Sequence, residues 1–221
     1  MNNFKNLGIG LHLLKGIEAL GIMNPMPIQQ EAIPHLLAGE RDLIGLAQTG
    51  TGKTAAFGLP LIQRTDLSNS EIQTLVLSPT RELAIQIADD VKNYARYVDG
   101  FKVTTVYGGA SIDAQIKELK QSPHMVVATP GRLHDLIRRR KIDISRIRFV
   151  VLDEADEMLN MGFEEDISAI LSETPASKRT FLFSATMPKE VLNISGKYMD
   201  NPVEITIGRK NEGAENVSHY Y

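Results

Sequence analysis

An α/β fold, a parallel sheet with helices on both of its faces, is what this sequence predicts, and three observations predict it. Short apolar, β-rich runs alternate with helical patterns, and near-continuous apolar strands of this kind belong to sheets buried on both sides. Polar and glycine-rich groups fall directly after those runs, at the strand ends where parallel sheets collect their ligands. At 221 residues and 43% hydrophobic, the chain has the apolar content for one large core.

Two amphipathic helical patterns come first, near Leu11 to Leu20 and Ile28 to Leu37. The β-rich runs follow at Asp42 to Leu46, Thr74 to Leu77, Val103 to Tyr107, Met125 to Ala128, Phe149 to Leu152, Thr180 to Phe183 and Val203 to Ile207. Between the first two, a helix runs from Ala55 to about Arg64. Residues 1–40 are the N-terminal helices, 41–208 the core of the same single domain, and 209–221 the polar start of a linker. Ten prolines and seventeen glycines are ordinary usage, with no repeat or low-complexity tract before about residue 208.

Composition excludes several classes of chemistry. The absence of cysteine removes disulfides, thiolate metal sites and cysteine nucleophiles together. Neither a bilayer-spanning apolar stretch nor a signal peptide is present, so the expectation is a soluble, cytoplasmic protein without membrane contact. A net charge of -3 argues against a general polyanion-binding surface, so any nucleic-acid contact must be local. The basic run Arg138-Arg139-Arg140-Lys141 reads as a solvated helix end. His12, His35, His124, His134 and His219 show no metal-ligand spacing and read as surface or packing residues.

The segment Ala47-Gln48-Thr49-Gly50-Thr51-Gly52-Lys53-Thr54 lies between a strand and a helix, the context of a phosphate cradle. Gly50 and Gly52 let backbone amides turn towards phosphate oxygens, and the helix N-terminus adds positive dipole. Lys53 reaches the outer phosphates of a nucleoside triphosphate and Thr54 offers a hydroxyl to magnesium. A strict phosphate-loop pattern would have glycine where this chain has Ala47.

Phe149-Val150-Val151-Leu152 delivers Asp153-Glu154-Ala155-Asp156 to the same edge. Magnesium prefers oxygen ligands and retains waters, so Asp153 with Thr54 suits it. Glu154 can orient and deprotonate the water that attacks the terminal phosphorus, as general base.

These residues resemble the first RecA-like domain of the DEAD-box RNA helicases. Asp153-Glu154-Ala155-Asp156 is that family's signature, and the family's phosphate loop carries alanine at the place of Ala47. Pro79-Thr80-Arg81-Glu82-Leu83, Gly108-Gly109, Thr129-Pro130-Gly131-Arg132 and Ser184-Ala185-Thr186 follow in the family's order. The resemblance runs from Phe4 to Ile207 and is strongest to the bacterial cold-shock DEAD-box protein A type through Asp153 to Phe163 and Phe183 to Pro188.

The resemblance implies a RecA-like phosphate-loop fold using ATP and Mg2+, and it assigns further roles. Gln29, in Pro25-Met26-Pro27-Ile28-Gln29, matches the glutamine that reads adenine, and Phe4 the aromatic that packs on it. An amide that both donates and accepts suits adenine and mispairs with guanine. Ile22 and Met26 depart from the family's usual aromatic and threonine, which weakens base packing. Pro79, Thr80, Arg81, Gly108, Gly109, Thr129, Pro130, Gly131 and Arg132 match segments that grip RNA along its sugar-phosphate backbone, blind to base sequence. Thr80 and Thr129 also read as helix caps. Ser184 and Thr186 match the segment that couples hydrolysis to strand separation through hydrogen bonds near Asp156.

In the family, arginines from a second RecA-like lobe complete the ATP site, and none follows before Tyr221. The expectation is a monomeric lobe that binds ATP or ADP, hydrolyses ATP poorly and does not unwind duplexes. Two other readings stand beside it: a non-catalytic nucleotide-dependent interaction module, which would not need Glu154, and a DNA-directed motor, which the adenine segment and Asp156 disfavour.

Overall fold

The computed structural model describes residues 3–208. Seven strands form one sheet: β1 (Leu43–Ala47), β2 (Thr74–Leu77), β3 (Val103–Val106), β4 (Met125–Ala128), β5 (Phe149–Leu152), β6 (Arg179–Ser184) and β7 (Val203–Ile207). Their spatial order is β3-β4-β2-β5-β6-β1-β7, and every pairing is parallel. All strands therefore present their carboxyl ends along one edge.

The apolar runs are continuous because both sheet faces are covered. Met125, Val127, Phe149, Val151, Phe181 and Phe183 point to one core. Their alternate neighbours Val126, Ala128, Val150, Leu152 and Leu182 point to the other. Each such side chain removed from water contributes about 1.5–3 kcal/mol.

The first core is covered by α1 (Leu11–Glu18), α2 (Pro27–Ala38), α3 (Lys53–Gln63) and α4 (Arg81–Tyr94). The second is covered by α6 (Pro130–Arg138), α7 (Ala155–Asn160), α8 (Glu164–Glu173) and α9 (Lys189–Tyr198), with α5 (Ile112–Leu119) flanking β3. Helix α1 crosses α4 at Gly16, where any Cβ would strike the carbonyl oxygen of Tyr94. Glycine there is what allows the two backbones to meet.

Several boundaries differ from expectation: β3 ends at Val106 rather than Tyr107, and β6 spans Arg179–Ser184 rather than Thr180 to Phe183. Helix α3 begins at Lys53 rather than Ala55, so Lys53 and Thr54 belong to its first turn. Asp42 precedes β1 instead of starting it, and its buried carboxylate accepts the amides of Thr180 (3.0 Å) and Asp200 (2.8 Å), fixing β1 against the starts of β6 and β7. Among the described residues no helix is long and apolar enough to cross a membrane. Residues 209–221, expected to start a linker, and His219 lie outside the described residues.

Candidate functional site

Strand order sorts the predicted groups into two sets. β1, β6 and β5 are consecutive in the sheet, so the loops after them bring together residues 48–54, 184–186 and 153–156. β2, β4 and β3 are likewise consecutive, gathering residues 78–82, 129–132 and 108–109 beside the first set.

In the first set, Gly50 and Gly52 both adopt positive φ, at 82° and 85°. The turn needs that region, and Gly52 has a second reason to lack a side chain: a Cβ there would run into the Gln29 amide nitrogen. Gln29 is buried at the start of α2; its Oε1 accepts the Met26 amide at 2.8 Å and its Nε2 donates to the Gly52 carbonyl at 3.0 Å. Gln29 thus ties its own segment to the 47–54 loop, and its amide keeps one lone pair and one N–H unused by these two bonds. Lys53 is 6% exposed and donates to the carbonyl of Ala47 at 3.3 Å. Thr51 Oγ1 donates to the Gln48 carbonyl at 2.7 Å, closing the loop on itself.

Asp153 directly follows β5, buried beside Lys53, and its Oδ1 accepts the Glu154 amide at 3.1 Å. Burial pushes its carboxyl up to about 6; the Lys53 ammonium opposes this, and the Glu154 carboxylate reinforces it. Glu154 adopts the left-handed conformation, φ 52° and ψ 52°, which costs a residue with a side chain about 1–2 kcal/mol. That turn swings its carboxylate over the phosphate loop, where it accepts the Thr49 hydroxyl at 3.2 Å.

A cleft of about 500 Å³ joins these groups: Thr49, Gly50, Gly52, Lys53, Thr54, Asp153 and Glu154 at one end, Ile22, Asn24, Met26 and Gln29 at the other. Its third wall comes from α4, through Leu83, Gln86, Ile87, Asp90 and Tyr94. The sequence reading missed that wall, because nothing in an amphipathic helix says which cavity its polar face lines. Phe4 is fully buried in the first core and is not among the cleft-lining residues. Among the described residues no cluster of three or more His, Asp or Glu is placed to hold a metal with protein ligands alone.

Asp156 joins the β5 loop to the β6 loop. Its Oδ2 accepts the amide (2.9 Å) and hydroxyl (2.7 Å) of Thr186, and its own amide donates to Ser184 Oγ at 3.2 Å. Burial raises its carboxyl, but the Thr186 and Ser184 hydrogen bonds outweigh burial and hold it below the usual range.

In the second set, Thr80 caps α4 by accepting the Leu83 amide at 3.2 Å. Exposed Arg81 lies over the Tyr107 ring, 5.0 Å from its centroid, next to Gly108 and Gly109. Thr129 heads α6 but its side chain makes no capping bond, against expectation; Pro130 at the first helical position lacks only the first of the amides left without a helical partner. Pro79 and Pro130 are buried at the starts of α4 and α6. Arg132 is braced, donating to Gln115 Oε1 at 2.9 Å and to the Ala110 carbonyl at 3.1 Å. Gln115 in turn donates to the Tyr107 carbonyl at 3.0 Å. No sequence signal marks Gln115, since its partners lie on other elements.

The sequence pattern of the DEAD/DEAH box helicases matches residues 26–194. The chain belongs to this family. A similar relative, the ATP-dependent RNA helicase DeaD of Haemophilus influenzae, is 48% identical over 214 residues, 97% of this chain and 35% of the relative. The DEAD-box ATP-dependent RNA helicase CshA of Geobacillus kaustophilus is 46% identical over the whole chain and 47% of its own length. This DEAD-box chain thus spans under half the length of those relatives. Among solved structures, the DEAD box protein of Methanococcus jannaschii superposes with a TM-score of 0.88 at 42% identity, over 92% of this chain and 55% of that one. A hypothetical ATP-dependent RNA helicase from Sulfolobus tokodaii gives 0.80 at 38% identity, over 89% and 56%. The fold is the RecA-like one of the DEAD-box proteins.

The remaining basic and histidine expectations agree with the structure. Arg138, Arg139, Arg140 and Lys141 are exposed at the end of α6, where Arg139 pairs with Asp135 at 2.8 Å. His12 and His35 bond backbone carbonyls, His124 packs on Phe101, and His134 pairs with Asp166.

Proposed function

We propose that this chain is the nucleotide-binding lobe of an ATP-dependent RNA helicase, acting in the cytoplasm as a monomer. The observation that carries the reading is the division of one sheet edge into a phosphate cleft with a base-edge amide and an adjoining row of helix starts, glycines and arginines. Gln29 favours adenine over guanine, and the amides at Gly50 to Thr54 with the Lys53 ammonium take the phosphates. Glu154 accepts the proton of the attacking water.

The residues present fit a magnesium ion. Asp153 is a buried carboxylate pushed up to about 6, crowded by Glu154, and a divalent cation relieves that excess of negative charge. Thr54 and Asp153 would hold the ion, which neutralises charge on the transferring phosphoryl group. RNA lies across Thr80, Arg81, Gly108, Gly109, Thr129, Gly131 and Arg132, held by phosphate contacts without base readout. The Asp156–Thr186 link passes the state of the cleft towards the β6 loop. Arginines of a second lobe complete the transition state, an effect of about 10³–10⁵ in rate in comparable phosphoryl transfers. Alone, the lobe binds nucleotide, turns ATP over slowly and does not unwind duplexes.

Calorimetric titration with ADP and GDP in magnesium tests this. ADP binding at least about tenfold tighter, about 1.4 kcal/mol, with the gap erased in Gln29→Ala, is the expected result. Equal affinities would remove the adenine reading, and no binding would favour an interaction module.

A further inference from the structure

The opposite edge of the sheet carries a second basic feature. Arg148 precedes β5, Arg179 starts the adjacent β6 and Arg41 lies two residues before the next strand, β1. Neighbouring strands are about 4.8 Å apart, so the three backbone positions span about 10 Å. Arg64, at the end of α3, reaches the same place. Its guanidinium lies 4.6 Å from the centroid of Phe149, and that of Arg148 lies 5.2 Å from the same ring. Arg179 pairs in register with Phe149 and so shares its face.

Two guanidiniums on one ring repel. The repulsion registers at Arg64, whose proton affinity is lowered first by burial and then by Arg148. Carbonyls relieve part of it: Leu36 accepts from Arg64 at 2.8 Å, Asn201 accepts from Arg41 at 2.8 Å, and Arg64 itself accepts from Arg148 at 3.3 Å. No carboxylate among the described residues hydrogen-bonds any of them, and only Asp66 lies near enough for the Arg148 charge to help, after its Ser68 hydrogen bonds, hold its carboxyl below the usual range. Among the described residues none of the four arginines forms an ion pair within 4.0 Å. Asp42 has both oxygens committed to backbone amides, and Asp66 holds Ser68. Each guanidinium has five N–H donors, and at most two or three are used here.

We propose that Arg41, Arg64, Arg148 and Arg179 form a second phosphate-binding surface, on the edge opposite the nucleotide cleft, that takes the sugar-phosphate backbone of RNA. A row of unpaired guanidiniums spaced by strand separation matches a chain of phosphates better than one small anion, and arginine forks suit phosphate oxygens. In a chain of net charge -3, such a surface is the local kind of contact that composition allows. The choice of RNA as occupant rests on the helicase reading; the surface itself does not.

The test compares wild type, Arg81→Ala on the carboxyl edge, and the double variant Arg148→Glu/Arg179→Glu, with Arg179→Glu alone as a milder second. Fluorescence anisotropy with a labelled 20-nucleotide RNA is read from about 50 to 200 mM salt, and ADP titration confirms folding. The expected result is about tenfold weaker RNA binding in the double variant, a salt slope reduced by about two, and unchanged ADP affinity. RNA binding lost only in Arg81→Ala would overturn the inference and leave the helicase reading standing. Loss only in the double variant would do the reverse. No RNA binding by wild type would overturn both. Unchanged RNA binding with weakened binding of polyglutamate in the double variant would assign the surface to an acidic protein and overturn the RNA occupant.

Discussion

Thr49 donates its hydroxyl to Glu154 at 3.2 Å, joining the phosphate loop to the acidic loop across 105 residues of sequence. The contact exists because Glu154 takes a left-handed turn directly after β5. The carboxylate proposed to activate water is thus held by the loop proposed to bind the phosphates.

Glu154→Gln keeps an acceptor for Thr49 and removes the base. ADP affinity should stay within about threefold, while single-turnover ATP hydrolysis falls at least about 100-fold. Hydrolysis surviving in the variant would remove Glu154 from the base role.

Gly52→Ala should be costlier than a positive φ explains. Gly100 has a similar φ of 84° with nothing near its missing Cβ, whereas a Cβ at Gly52 meets the Gln29 amide. Gly100→Ala should lose about 1 kcal/mol in urea denaturation. Gly52→Ala should lose that and also weaken ADP at least about tenfold; equal behaviour of the two would show that the Gln29 contact is incidental.

Asp153 sets a pH dependence whose sign is fixed by its raised carboxyl, about 6 in the fold against 3.8 ordinarily. Between those values the folded state binds more protons than the unfolded chain, so this group's contribution to stability falls as pH rises from about 4 to about 6. The two-unit shift corresponds to about 3 kcal/mol. Denaturation of wild type and Asp153→Asn across that range should show wild type losing ground to the variant as pH rises. A constant difference would mean that burial does not govern this carboxyl.

Gln115 is expected to act on RNA without touching it. Gln115→Ala frees the Arg132 guanidinium from one of its two braces, at 2.9 Å, and keeps its charge. RNA affinity should drop about threefold to tenfold with ADP affinity unchanged, since a floating fork pays ordering entropy on contact. Unaltered RNA affinity would make the brace purely structural.

Much of the site was legible because its chemistry depends on residue type and local spacing. A glycine loop between strand and helix names a phosphate cradle, and two adjacent carboxylates after an apolar strand name a metal ligand and a base. What was less legible was also local: Thr129 reads as a cap and does head α6, but its side chain makes no capping bond, and Phe4 is buried in the first core.

The sequence by itself determined that the strands are parallel and that the polar and glycine-rich groups lie directly after them, because hydrophobic period and backbone turns are set by neighbours along the chain. Only the tertiary structure decided the order β3-β4-β2-β5-β6-β1-β7, and with it the separation of the loops after β1, β6 and β5 from those after β2, β4 and β3. It alone placed Thr49 against Glu154, Gln115 under Arg132, and two arginines on Phe149. Those contacts join residues far apart in sequence, and they are fixed by which strands pair and how helices cover them, information that no local pattern carries.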